Sequence, residues 1–117
     1  MRPGLFKVLR TSLGLAAQDV ATANGVALRT AQRWETNRVA HGDAQEWLLD
    51  KWMRMEELVR ELVENAGPDG VVELDYFRDD QPCFERAGLS ASEYHAMLGH
   101  AIVAIRGAGL DYVIREY

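Results

Sequence analysis

Apolar residues recur with a helical period over the first half of the chain and with a strand period in two short stretches of the second. Leu5, Val8, Leu9 and Leu13 mark a first short amphipathic helix. Residues 16–23 predict a second, with Val20 and Ala21 turned inward, and residues 27–36 predict a third. From Asp43 to about Ala66 a long helix follows, with Asp43 as its N-cap and Glu46 three positions on completing the reciprocal cap. Leu48, Trp52, Met55, Val59, Leu62 and Ala66 then fall at steps of four and three, which is heptad spacing. Trp47, Leu49, Leu58 and Val63 widen that stripe beyond what a three-helix neighbour covers, so part of it is expected in dimer contacts.

Gly67-Pro68-Asp69-Gly70 favours a turn and stops the long helix, making it the best boundary in the chain. Beyond it Val71 to Phe77 alternates, with Val72, Leu74 and Tyr76 on one face of a strand and Glu73 and Asp75 on the other. Asp79-Asp80 reads as a solvated turn. Ser90-Ala91-Ser92-Glu93 is a capping box, opening a helix that carries Tyr94, Met97, Leu98, Ala101, Ile102 and Ile105 and ends at Gly107 or Gly109. Asp111 to Tyr117 reads as a second strand, with Tyr112 and Ile114 facing one way and Val113 and Tyr117 the other. Two strands and one helix rarely stand alone, so partner strands from a second copy are expected. Leu74, Tyr76, Met97, Leu98, Ala101, Ile105, Tyr112 and Ile114 are the candidate dimer contacts.

The net charge of −5 over 117 residues conceals a split. Residues 1–42 hold six cations against Asp19 and Glu35, for +4, and residues 43–117 hold seven cations against sixteen anions, for −9. A basic N-terminal unit suits local attraction to phosphates, while an acidic remainder limits indiscriminate binding. Lone Cys83 makes no intramolecular disulfide and no metal or redox spacing, which suits a reducing compartment. No apolar run approaches a membrane span, and Lys7 and Arg10 interrupt any signal-peptide stretch, so a cytoplasmic protein without membrane association is expected. Catalysis is not expected either. His95 and His100 are five apart, on different helix faces, and His41 lies in a loop, giving no metal site. With no Gly-rich phosphate loop and no Ser/His/Asp grouping, no cofactor is implied.

The informative stretch runs from Leu15 to Glu35. Two short helices meeting across a tight turn need a small residue at their contact and a glycine where the backbone reverses, which Ala21 and Gly25 supply. Leu15, Val20 and Val26 share the interior, and Ala27 opens the next helix. On that helix Arg29, Gln32 and Arg33 stand at i, i+3 and i+4, on one face. Arg can donate two hydrogen bonds to guanine O6 and N7, and Gln can pair with adenine N6 and N7. Thr30 and Leu28 flank them, the latter placed to meet a thymine methyl. Lys7, Asn37 and Arg38 are candidate phosphate contacts, which fix register without reading sequence.

On these residues the segment from 4 to about 50 resembles the Cro/C1-type (XRE) helix-turn-helix family, whose Leu, Ala, Gly-Val and Trp-Glu landmarks match Leu15, Ala21, Gly25-Val26 and Trp34-Glu35. The resemblance implies an ion pair between Arg10 and Glu35, which removes Glu35 from the catalytic candidates. Ala17, Asn24 and Ala31 depart from the pattern: the first replaces a Gln that often touches phosphate, the others replace apolar or larger core residues. The run Arg29 to Arg38, the long helix and the C-terminal element order also resemble anti-CRISPR-associated autorepressors and related small phage-type regulators, in which the C-terminal unit dimerises. The fold expected is mainly α (α+β). Residues 1–66 form a helix-turn-helix DNA-binding domain including the long helix 43–66, and residues 71–117 a β-α-β dimerisation domain. The function implied is an autoregulatory repressor binding a palindromic operator on double-stranded DNA as a homodimer. The rival is an antitoxin that represses its own operon and wraps a toxin with its acidic half.

Overall fold

A computed structural model describes all residues, 1–117. It is mainly helical, with six helices and one two-stranded parallel sheet: α1 Pro3–Ser12, α2 Ala17–Asn24, α3 Leu28–Arg33, α4 Gly42–Glu64, β1 Val71–Tyr76, α5 Asp80–Ala87, α6 Ala91–Gly107 and β2 Asp111–Glu116. No helix is long and apolar enough to cross a membrane. The chain divides into two compact units, Met1–Arg54 and Met55–Tyr117, so the division falls inside α4 rather than at the Gly67–Gly70 turn.

In the first unit Pro3 fixes φ at the start of α1, where its missing N–H costs nothing. The face of α1 that turns inward differs from the expected one. Phe6 and Leu13 are buried, whereas Leu5 and Val8 stay exposed. Phe6 meets Trp34 edge to face at 5.9 Å, a geometry favoured by the ring quadrupoles. The third helix is shorter than expected: the chain leaves α3 after Arg33, whose carbonyl accepts the amides of Thr36, Asn37 and Arg38 at 2.9–3.1 Å. At the start of α4 the cap is His41, not Asp43. His41 Nδ1 accepts the Ala44 amide at 3.2 Å, and its ring stands edge-on to Trp34 at 4.9 Å. Asp43 sits within the first helical turn. Along α4, Leu48 is buried in this unit, while Leu49 and Met53 remain exposed.

In the second unit the α4 residues Met55 and Leu58 are buried, with Val59, Leu62 and Val63 half-buried. The Gly67 to Gly70 turn forms as expected. The Gly70 amide donates to the Gly67 carbonyl at 2.9 Å, and Gly70 takes a φ of 76°, open to glycine without strain. β1 and β2 run parallel, Val71 beside Asp111 through Tyr76 beside Glu116. The crossover between them holds two helices, so the unit is β-α-α-β rather than β-α-β. Asp79 and Asp80, read as a solvated turn, instead begin α5: Asp79 is its N-cap residue, and Asp80 Oδ1 accepts the Ala91 amide of α6 at 2.8 Å. The Ser90 capping box is present, with the Glu93 amide donating to Ser90 Oγ at 3.2 Å.

The helix-facing side of the sheet carries Val72 and Leu74, packed with Met97, Leu98, Ala101 and Ile105 of α6. This overturns most of the expected dimer contacts. Leu74, Met97, Leu98, Ala101 and Ile105 form the chain's own core because α6 covers that face of the sheet, and they offer a second copy no surface. Tyr76 and Tyr112 are half-buried and Ile114 is exposed. Strand alternation also misplaced Asp75, which is buried. Its carboxylate pairs with Arg86 of α5 and with Arg115 Nε at 3.1 Å and receives the Tyr117 hydroxyl at 3.3 Å. A charge withdrawn from water in this way needs such partners. The arrangement holds Arg115 above its ordinary pKa, through Asp75 first and Glu73 second.

Candidate nucleic-acid interface

The surface built by α2 and α3 begins with the turn between them. α2 starts where the Ala16 amide donates to Asp19 Oδ2 at 2.7 Å, which also sets a carboxylate against the positive end of the helix. It ends at Gly25, in the left-handed region at φ 65°, where the Val26 amide returns to the Ala21 carbonyl at 3.0 Å. Ala21 and Ala31 are buried to 0% and 1% exposure, so the two helix backbones approach with no larger side chain between them. Asn24, near the end of α2, donates from Nδ2 to the Val20 carbonyl at 2.9 Å.

With Ala31 and Trp34 turned inward, the opposite side of α3 faces solvent. Arg29 and Gln32 are exposed there. Neither side chain has a hydrogen bond or ion pair within the chain, so a guanidinium and an amide stand with their donors and acceptors unused. Leu28 is exposed beside them. Arg33 and Thr30 are only half exposed, which makes them the lesser members of the predicted base-reading set. Lys7 on α1 and Asn37 and Arg38 in the turn after α3 are exposed, and their side chains likewise have no partner in the chain. The whole unit keeps an excess of cations, eight against five anions over residues 1–54.

The frame that holds α3 is charged as well as apolar. Arg10 Nε pairs with Glu35 Oε1, and Arg10 also donates from Nη1 to the Leu15 carbonyl at 2.7 Å, tying α1 to the start of α2 and the end of α3. Sequence reasoning missed two features of this surface. Gln18 and Thr22, one turn apart on the exposed side of α2, are joined by a hydrogen bond of 3.2 Å and add polar groups. His41 is the other; a histidine directly before Gly42 was the available signal, since its ring nitrogen can accept an amide as a cap. No protein-family model matches the chain, and no curated protein matches it.

Proposed function

We propose that the chain is a sequence-specific DNA-binding repressor that acts in the cytoplasm as a homodimer on an inverted-repeat operator, its own promoter being the natural site. The observation that carries the reading is the exposed, unpartnered pair Arg29 and Gln32, one helical turn apart on a short helix braced by Ala21, Ala31 and the Gly25 turn. A helix held this way fits the major groove, where Arg29 reads guanine and Gln32 reads adenine. Lys7, Asn37 and Arg38 contact phosphates and set the register. The Arg10 to Glu35 pair, implied by the resemblance to Cro/C1-type regulators, supports the same reading because it fixes the end of α3. Two copies related by a two-fold axis carry two such helices, about one helical turn of DNA apart. A bound promoter is closed to polymerase.

The test is selection of bound DNA from a random pool, followed by mobility shifts with Arg29→Ala and Gln32→Ala. Each substitution is expected to cost about 1–3 kcal/mol on the selected site and to relax preference at one base pair. An equal loss on random DNA overturns the assignment of base contacts.

A further inference from the structure

We propose that the second unit binds a small amphipathic organic cation, with the ligand's hydrocarbon body in the cavity enclosed by α4, β1, α5 and α6 and its ammonium at the mouth beside Glu61 and Asn65. Every residue lining that cavity belongs to the second unit, so the site does not depend on the DNA reading of the first. The cavity has a volume of about 180 Å³, and its apolar lining is Leu58, Leu62, Ala87, Tyr94, Met97 and Leu98. An apolar cavity of about 150 Å³ takes up a benzene ring, so this one has room for a ring with a short chain.

The polar lining is arranged differently. Leu58, Tyr94, Met97 and Leu98 are buried, whereas Glu61, Asn65, Glu73 and Arg86 are exposed, so polar groups gather where the cavity meets water. A few convergent polar groups over an apolar floor hold and orient a small ligand. A charge carried into that floor without a partner would be prohibitive, and one kept at the mouth stays hydrated, which is why the ligand must be amphipathic.

The sign of the ligand's charge follows from which side chains are already paired. Asp75 takes both Arg86 and Arg115, and Arg115 also reaches Glu73 at 3.4 Å, so the two guanidiniums are shared between those two carboxylates. The Glu61 carboxylate has no hydrogen bond or ion pair within the chain. Asn65, one helical turn on, donates from Nδ2 to the Glu61 carbonyl at 2.8 Å, and its Oδ1 has no partner. A carboxylate and an amide oxygen are thus the unused groups at the mouth, and both accept from an ammonium. An anion would instead have to draw Arg86 away from the buried Asp75, and stripping a partner from a buried charge is costly. The wider field has the same sign: residues 55–117 hold thirteen Asp and Glu against five Arg, for −8, which attracts cations.

The test uses the full chain without DNA, with phenethylamine as the cation and phenethyl alcohol and phenylacetate as its neutral and anionic counterparts. In methyl NMR of the four methionines, phenethylamine is expected to move the Met97 signal and to leave those of Met1, Met53 and Met55 in place. A dissociation constant of about 1 mM is expected for so small a ligand. Phenethyl alcohol is expected to bind about tenfold more weakly, and phenylacetate more weakly still. Glu61→Lys, a change at an exposed position, is expected to weaken phenethylamine about tenfold and to bring phenylacetate level with it or ahead. Leu62→Trp, which fills the cavity from its half-buried wall, is expected to abolish the Met97 response to all three compounds. A Met97 signal unmoved at concentrations well above that constant, a response to phenylacetate as strong as to phenethylamine, or an unchanged affinity for phenethylamine in Glu61→Lys overturns the proposal. None of these readouts involves DNA, so their failure leaves base reading by α3 to the DNA selection, and failure of that selection leaves the methyl shifts as they are.

Discussion

Arg10 and Glu35, 25 residues apart in sequence, form an ion pair whose side chains are only 15% and 8% exposed. Glu35→Ala leaves the guanidinium with the Leu15 carbonyl as its remaining partner and is expected to cost the first unit about 3 kcal/mol, because breaking a buried pair strands one charge. Urea denaturation of Glu35→Ala, Arg10→Met and the double variant measures it. The double variant should be more stable than the sum of the single losses predicts, and simple additivity would show that the two groups act independently.

The proposed phosphate contacts separate from the base contacts by their salt dependence. Arg38→Ala is expected to weaken binding to selected and random DNA alike, and to reduce the slope of log affinity against log salt by about 0.9. Affinity measured over a series of salt concentrations checks it, and an unaltered slope removes Arg38 from that set.

Gly25 isolates a backbone effect. A Cβ built there meets nothing within 4 Å, yet φ is +65°, so the cost of Gly25→Ala is one of conformation alone. A loss of about 1–2 kcal/mol is expected. Gly25→Asn should lose less, since asparagine tolerates the left-handed region better. Thermal unfolding of the two variants decides the order.

How much of this was legible in the sequence follows from how local each determinant is. Gly25, Ala21 and the Ser90 capping box are read within a few residues, and the turn and helix they specify stand where expected. Asp75 was misread because period-two alternation assumes that polar means solvated. Its partners come from Arg86, on a helix whose polar exposed sequence gave no strong periodic signal, and from Arg115, 40 residues away. Leu74, Met97, Leu98, Ala101 and Ile105 are unavailable as dimer contacts for a related reason: an apolar face predicts burial but not by whom, and α6 of the same chain covers Leu74. The exposure of Arg29 and Gln32 was legible because Ala31 and Trp34 fix the opposite side of α3.

Tyr94 makes the second unit sensitive to alkali. Its hydroxyl donates to the Asp75 carbonyl at 2.6 Å, and burial, then the Asp75 charge, hold its pKa above the ordinary value of 10.0 despite the opposing pull of Arg86. The fold thus favours the protonated phenol. Its stabilisation is complete below the unfolded pKa and disappears as pH rises through the higher folded one. Tyr94→Phe is expected to cost about 1 kcal/mol at neutral pH and to flatten the fall in stability above pH 10. Equal alkaline slopes for the variant and the parent would assign that fall to another group.

The parallel register of β1 and β2 also bears on how fast the two units become native. Asp75 and Arg115 meet only after a loop of 40 residues has closed, whereas the Ala21 and Val26 contact closes almost at once. Because closure entropy is lost before long-range contacts repay it, the helical unit should reach its final form while the sheet is still searching for its second strand.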